Sequence, residues 1–216
     1  MDKTPIVHRS DEIGRPEHYE NAEVVRTYHE RYEGGWAAWK HRRKLRLLAA
    51  WIGTPEPNRV LEVACGPGRF YEAYRQFPSV SVDRSQPMLN RSRLRYPDAP
   101  LVRSDAAALP FRSGSFDVVF STRFLSHLRG EFRAAVLREL VRVSARAVIL
   151  DGRHPYNLRY ASRWVRRRLR LSHADKLRHT FTQFREELGA AGLEVRGFRS
   201  IAWGLSGRFL VLAEKN

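Results

Sequence analysis

An apolar run that ends in a glycine-rich turn constrains this chain more than any other feature. Residues 60–68 read VLEVACGPG, which is a short strand pattern followed by two glycines one residue apart. Glycines let the backbone turn sharply and approach a ligand without a Cβ in the way. Such a turn between a strand and a helix is typical of open α/β sheets, which bind nucleotide-like ligands at the carboxyl ends of their strands.

The residues around the turn narrow the choice of ligand. A dinucleotide fingerprint needs a third glycine three residues after the second, and position 71 is tyrosine instead. A phosphate-binding Walker loop needs Gly-Lys-Ser/Thr, which is absent. Asp83 ends the next strand candidate, and a carboxylate there can accept hydrogen bonds from both ribose hydroxyls of a nucleoside. The alternatives are a purely structural turn at 60–68, and an Asp83 that merely caps a helix with Ser85.

Strand and helix patterns alternate along most of the chain. The strand candidates are residues 59–63, 79–82, 101–103, 116–121, 143–150, 194–201 and 208–213. The helix candidates are residues 18–32, 36–52, 69–77, 86–96, 130–140 and 178–191. This order predicts an α/β fold with a doubly wound, seven-stranded, mostly parallel sheet, an antiparallel last strand and extra N-terminal helices. We expect an arm with cap helices at 1–57 and a Rossmann-like domain at 58–216.

Charge and composition bear on partners. The chain of 216 residues has 39 basic and 23 acidic side chains, a formal charge of +16. This excess makes RNA, an anionic membrane surface or an anionic small molecule plausible partners. Cys65 is the single cysteine, which excludes an intrachain disulfide and a thiolate zinc cluster, and we expect no metal site. Because no stretch of about 20 apolar residues and no signal peptide is present, we expect a cytoplasmic protein, with peripheral membrane contact left open.

Two further segments complete a recognisable pattern. Residues 105–111 read DAAALPF, and residues 115–120 read SFDVVF. Together with the glycine turn and Asp83, in this order and spacing, they resemble the class I (Rossmann-like) S-adenosylmethionine-dependent methyltransferases, in particular the ubiquinone/menaquinone-biosynthesis-like superfamily. The resemblance covers roughly residues 58–151. It implies S-adenosylmethionine as the cofactor.

The resemblance also implies roles for the matching residues. The turn would pass under the methionine part of the cofactor, Asp83 would hold the ribose, and Met88, Asp105 and Ala106 would contact the adenine. Ser121 and Thr122 would face the sulfonium and the methyl acceptor, while Glu62 would order the turn or reach the amino-acid end through water. Cys65 is interpreted as a packing residue and not as a nucleophile. The full set of expected cofactor-binding residues is Glu62, Ala64, Cys65, Gly66, Gly68, Asp83, Arg84, Met88, Asp105, Ala106, Ser121 and Thr122.

The acceptor is less constrained. No Asn/Asp-Pro-Pro-Tyr/Phe motif follows the fourth strand, which disfavours methylation of exocyclic amines and leaves O-, N- or C-methylation of a small or lipid-like acceptor, including an anionic one. His127 and His154 are candidate catalytic bases, with a packing role as the alternative for each. Tyr28 and Tyr32 are candidates to cap the cofactor.

An arginine-rich segment at about 156–179 reads as a basic amphipathic helical insertion. Three interpretations of this segment are open: a solvated helix face, a clamp for an anionic substrate, or a surface that docks on an anionic membrane. The same charge supports a rival function, an RNA-associated protein or RNA methyltransferase on this fold. A nicotinamide or flavin oxidoreductase is disfavoured by the missing third glycine. The sequence is silent on oligomeric state.

Overall fold

The computed structural model describes residues 19–28, 34–154, 180–202 and 205–215. These residues form a seven-stranded sheet in the order β3-β2-β1-β4-β5-β7-β6. Its strands are β1 (Val60–Val63), β2 (Ser79–Asp83), β3 (Leu101–Arg103), β4 (Phe116–Ser121), β5 (Ser144–Arg153), β6 (Leu193–Ser200) and β7 (Arg208–Lys215). The first five strands are parallel, and β7 runs antiparallel to both of its neighbours. The predicted α/β sheet with an antiparallel last strand is confirmed.

Helices cover both faces of the sheet. Among the described residues they are α1 (Ala22–Arg26), α2 (Gly35–Ile52), α3 (Gln86–Arg95), α4 (Gly130–Val143) and α5 (Phe181–Ala190), with short 3-10 helices at Tyr71–Ala73 and Leu125–His127. Local capping explains two of the helix starts. Ser85 accepts from the Met88 amide to begin α3, and Thr180 begins α5 with a capping box.

The core lies in two layers, because neighbouring residues of each strand point to opposite faces. Leu61 and Val63 of β1 pack with α4 and α5 on one face, whereas Val60 packs with Leu48 and Ile52 of α2 on the other. All four residues of β1 are buried, as expected for a central parallel strand covered on both faces. The carboxyl end of β1 therefore opens between two well-packed layers.

The segments at 105–111 and 115–120 both have structural roles in the fold. Glu139 of α4 accepts from the Leu109 amide, and Arg142 donates to the carbonyls of residues 109 and 111. These bonds attach the Leu-Pro-Phe segment to α4. Asp117 accepts from the amides of residues 58 and 59 and so fixes the start of β1 against β4.

The helix predicted at 69–77 is wrong. Only Tyr71–Ala73 is helical, and it is a 3-10 helix within a series of turns. Aromatic packing explains the difference: Phe70 and Tyr74 are buried, and the Tyr74 hydroxyl group bonds with Glu62 and Ser81 beneath the turn. Bringing these rings onto the sheet fixes the backbone in tight turns instead of an α-helix.

The N-terminal prediction is corrected in part. Of the helix expected at 18–32, the described residues form only the five-residue α1, because the Asn21 side chain accepts from two amides and starts the helix there. Residues 29–33 and the arginine-rich segment at 156–179 lie outside the described residues. None of the helices in the described ranges is long and apolar enough to cross a membrane.

The passage from α4 to β5 is abrupt. Val143 ends the helix and Ser144 begins the strand, with no loop between them. The Ser144 side chain is fully buried and donates to the Ala147 carbonyl, which stabilises the abrupt change of direction. The predicted strand is also longer than expected, since β5 continues to Arg153.

Candidate active site

A cavity of about 350 Å³ opens at the carboxyl ends of β1, β2 and β4. Tyr19 and Tyr28, from the segment around α1, form part of its wall. This is the edge of an open α/β sheet at which ligands bind. The cavity brings together ten residues singled out in the sequence: Ala64, Cys65, Gly66, Asp83, Arg84, Met88, Asp105, Ala106, Thr122 and His127.

The glycine turn forms the floor of the cavity. Ala64 and Gly66 have φ of +61° and +57°, a conformation that suits glycine and is strained for alanine. The Cys65 amide donates to the Val82 carbonyl at 2.9 Å, so the turn is attached to the end of β2. Burial raises the pKa of the Cys65 thiol well above its usual value, in agreement with a packing role.

Asp83 lies at the end of β2 and connects the turn to the next helix. Its Oδ2 accepts from the Gly66 amide at 2.7 Å, and its Oδ1 accepts from the Ser85 amide at 2.9 Å. Burial raises the pKa of this carboxyl group, while the backbone amides that it accepts from oppose the shift. Because each carboxylate oxygen has a second lone pair, Asp83 can still accept two hydroxyl groups from a ligand.

Met88 and Asp105 line the cavity beyond Asp83. Met88 is buried on α3, and Asp105 follows β3. Asp105 Oδ1 accepts from the Ala107 amide at 2.9 Å, which orients the carboxylate in its turn. An apolar side chain beside a fixed carboxylate suits the flat face and the amino group of an adenine.

Three of the expected cofactor residues lie outside the cavity lining, and two of them, Glu62 and Gly68, lie beneath the turn. Glu62 is buried below the turn, where its Oε2 accepts from the Tyr74 hydroxyl group at 2.7 Å, and burial raises its pKa to about 8. Gly68 is needed for packing: a Cβ there would lie 2.5 Å from Ser92 Oγ and 3.2 Å from the Tyr96 ring. Both residues therefore shape the turn from beneath.

Ser121 and His154 also lie outside the lining. Ser121 is fully buried at the end of β4. The His154 ring lies 4.3 Å from the Phe181 ring, and its amide donates to the Gly207 carbonyl at 2.6 Å. Within the described residues, the His154 ring contacts Phe181 beside the end of β5 and outside the cavity lining.

His127 lies on the cavity wall beyond β4. It ends the short 3-10 helix after β4 and lines the cavity, with its ring edge-to-face to Tyr19 at 6.4 Å. Thr122 lines the cavity from the same β4 end. The two residues share one wall, whereas Asp83 and Asp105 lie on the β2 and β3 side.

The sequence reasoning missed a basic group behind this wall. Lys44 of α2 and Asp151 of β5 form a buried ion pair, and the other oxygen of Asp151 accepts from the Arg123 amide at 2.5 Å. Burial lowers the pKa of Lys44 to about 7, although Asp151 opposes the shift, and Lys44 in turn holds the pKa of Asp151 below its usual value. Arg69 and Arg123 line the cavity itself. The one sequence signal for this buried pair was the position of Asp151 near the end of β5.

Within the described ranges, no group of three or more His, Cys, Asp or Glu side chains is placed to hold a metal ion. The cavity is lined by the glycine turn, by the carboxylates of Asp83 and Asp105, and by Arg69 and Arg123.

Comparisons with known proteins agree with this geometry. The sequence profile described as "Methyltransferase domain" matches residues 61–149. A demethylmenaquinone methyltransferase of Renibacterium salmoninarum is 34% identical over 119 residues, which are 53% of this chain and 49% of that protein. A tRNA (carboxymethyluridine(34)-5-O)-methyltransferase of Macaca fascicularis is 30% identical over 122 residues, 56% of this chain and 18% of that protein.

The chain thus spans about half or less of the length of these two relatives. Among solved structures, magnesium protoporphyrin IX methyltransferase from Synechocystis with bound SAH (S-adenosylhomocysteine) superposes with a TM-score of 0.74 at 17% identity. That superposition covers 93% of this chain and 97% of the other, and it shows the shared fold. Residues 61–149 thus match a methyltransferase domain, and the chain shares its fold with S-adenosylmethionine-dependent methyltransferases of known structure.

Proposed function

We propose that this protein transfers the methyl group of S-adenosylmethionine to an oxygen, nitrogen or carbon atom of a small or lipid-like acceptor. The observation that carries the proposal is the single cavity that joins the glycine turn, Asp83 and Asp105 to Thr122 and His127 at the end of β4. The side proposed for the nucleoside and the side proposed for the second reactant thus belong to one cleft. A cavity of about 350 Å³ lies within the range of small-molecule sites.

The cofactor supplies an already activated methyl group, so the protein's contribution is mainly alignment. Asp83 would accept from the ribose hydroxyls, and Asp105 and the Ala106 amide would position the adenine beside Met88. The glycine turn would let the amino-acid end of the cofactor lie close to the protein backbone. His127 would accept a proton from an acceptor that needs deprotonation.

The N-terminal segment belongs to this proposal as a cap. Tyr19 and Tyr28 line the cavity, and the Ser85 hydroxyl group holds the Tyr19 carbonyl at 2.7 Å. We propose that residues 1–57 cap the methyltransferase domain at 58–216 and exclude water from the reacting groups. A cytoplasmic location, with peripheral contact to an anionic membrane for a lipid-like acceptor, fits this arrangement.

Calorimetric titration of the purified chain with SAH tests the donor side. Asp83→Ala should weaken binding by roughly tenfold to a hundredfold or more, since it removes a charged acceptor for two hydroxyl groups. Asp98→Asn, an exposed carboxylate change in the loop before β3, should leave the affinity unchanged. Equal SAH affinity of the parent and Asp83→Ala would show that the ribose assignment is wrong.

RNA is the second candidate acceptor, favoured by the +16 charge and by the tRNA methyltransferase relative. An RNA-binding protein of this charge should retain nucleic acid through purification and release it steeply with salt. Recovery free of nucleic acid at moderate ionic strength, with SAH binding intact, would favour the small-molecule acceptor.

A further inference from the structure

The acidic and basic residues of the cavity lie on different sides. Asp83 ends β2 and Asp105 follows β3, and Glu20 is close enough to Asp83 to raise the pKa of that carboxyl group. Arg123 follows β4, on the other side of β1, and Arg69 follows the glycine turn. Apart from the exposed Arg84 beside Asp83, the arginines of the lining thus lie after the glycine turn and after β4.

Arg123 has a backbone conformation that its residue type disfavours. Its φ is +66°, in the left-handed region that non-glycine residues rarely adopt. The Arg123 amide donates to Asp151, whose carboxylate also pairs with the buried Lys44 and lies 4.0 Å from Arg208. Strained backbone conformations are often found at ligand-binding sites, where the surrounding structure enforces them. The strain at Arg123 therefore suggests a role in ligand binding.

Electrostatic contacts place the arginines in one basic patch. Arg69 Nη2 lies 3.1 Å from His41 Nδ1, and both Arg69 and Arg123 help to lower the pKa of His41 to about 3, after the larger effect of burial. His41 is therefore uncharged at neutral pH and accepts from Arg69. The patch between α2 and the end of β4 has a positive potential, which favours an anionic ligand.

A buried hydroxyl group lies next to this patch. Thr122 lines the cavity and is 5% exposed, and its Oγ1 has no hydrogen-bond partner among the described residues. A buried polar atom without a partner carries a desolvation penalty that a bound ligand removes. A hydroxyl donor beside a guanidinium fork is a combination that recognises carboxylate or phosphate oxygens.

We propose that Arg123 and Thr122 form an anion-binding subsite for the methyl acceptor, which is therefore a small molecule with a carboxylate or phosphate group near the methylated atom. This inference rests on the proposed function, since it places the acceptor on the β4 side of the cavity. Arg69 adds to the positive potential from the side of the glycine turn. The inference does not depend on the arginine-rich segment at 156–179.

The test uses the full chain saturated with SAH, so that the cofactor's own carboxylate site is occupied. Calorimetric titrations with succinate, inorganic phosphate and the neutral succinamide compare the parent, Arg123→Gln, Arg123→Lys and Thr122→Val. The matched control is Arg138→Gln, which removes the same charge from an exposed position of α4. Binding of SAH and of 5′-methylthioadenosine, which lacks the carboxylate, is measured for each variant.

We expect succinate or phosphate, but not succinamide, to bind the parent, and the better of the two identifies the anionic group. Arg123→Gln should weaken anion binding by about tenfold or more, Arg123→Lys should restore part of it, and Thr122→Val should weaken it by a smaller factor. Arg138→Gln should change anion binding by less than about twofold, and the two Arg123 variants should change the SAH affinity by less than about twofold.

Three results would overturn the inference. They are equal binding of succinate and succinamide, equal anion binding by Arg123→Gln and Arg138→Gln, and a loss of SAH affinity in Arg123→Gln with 5′-methylthioadenosine affinity retained. The last result would assign Arg123 to the cofactor's carboxylate. Failure of the parent to bind SAH is a different outcome, because it refutes the proposed methyl transfer itself.

Discussion

Replacement of Glu62 by glutamine should abolish a large part of the pH dependence of stability. Glu62 is 1% exposed, on the face of β1 that packs against Tyr74. Burial raises its pKa from 4.5 to about 8, and the hydrogen bond from Tyr74 opposes the shift only in part. Glutamine has nearly the same shape and keeps an oxygen that accepts from Tyr74, so the substitution removes the titration and little else.

The magnitude follows from linkage between proton binding and folding. Between pH 4.5 and 8 the folded protein holds a proton on Glu62 that the unfolded chain has released. The stabilisation from this group is therefore fully present below pH 4.5 and is lost as the pH rises through 8. Each pH unit within this window lowers the free energy of unfolding by about 1.4 kcal/mol, so the step from pH 5.5 to 7.5 costs about 2.7 kcal/mol.

Urea denaturation at these two pH values measures the effect. The parent should lose stability relative to Glu62→Gln by on the order of 2–3 kcal/mol over this step, because all other titrating groups are common to both proteins. Glu186→Gln on the exposed face of α5 is the control and should follow the parent. Parallel stability profiles for the parent and Glu62→Gln would refute a protonated, buried Glu62.

Three further changes test the turn and the buried pair, with urea denaturation as the measurement. Gly68→Ala should destabilise the fold by about 2–4 kcal/mol, since a Cβ at φ +71° would lie 2.5 Å from a serine oxygen of α3. Gly114→Ala is the control: its φ is +67° and the space around it is open, so it should lose only about 1–2 kcal/mol. Equal losses in the two variants would exclude the clash at Gly68. Ala64→Gly should be neutral or stabilise by up to about 1 kcal/mol, because it relieves φ +61°, and a clear loss would argue against strain there. Lys44→Met should destabilise the fold by about 3–5 kcal/mol, because it leaves Asp151 buried without its cation. The double variant Lys44→Met with Asp151→Leu should recover most of that loss. No recovery in the double variant would show that the loss came from packing and not from charge.

Much of the sheet was predictable because its signals are local. Apolar runs of strand length alternate with helix-period segments, and the glycine turn at 60–68 marks the point where the first strand ends. The same logic placed Asp83 and Asp105 at strand ends, and parallel strands bring their carboxyl ends to one edge. Ten of the fourteen residues expected to bind the cofactor or to act as a base line one cavity for this reason.

The remaining features depend on contacts between distant segments. Residues 69–77 have helical periodicity, but Tyr74 is drawn to Glu62 and the backbone follows. Lys44 has the sequence pattern of a solvated helix residue. Its burial depends on the ion pair with Asp151, which lies 107 positions later in the chain. The positive φ of Arg123 has no sequence signal, since it depends on the same carboxylate.

The buried pair also connects α2 to the β4 side of the cavity. The proposed donor side is built from the glycine turn, from Asp83 at the end of β2 and from Asp105 after β3. The opposite wall depends on Lys44 of α2, because Lys44 neutralises Asp151 and Asp151 fixes the backbone of Arg123. A change in α2 can therefore move a residue of the acceptor wall while leaving Asp83 and Asp105 in place. On this reasoning acceptor preference can diverge through α2 and the loop after β4, with the methyl-donor site unchanged.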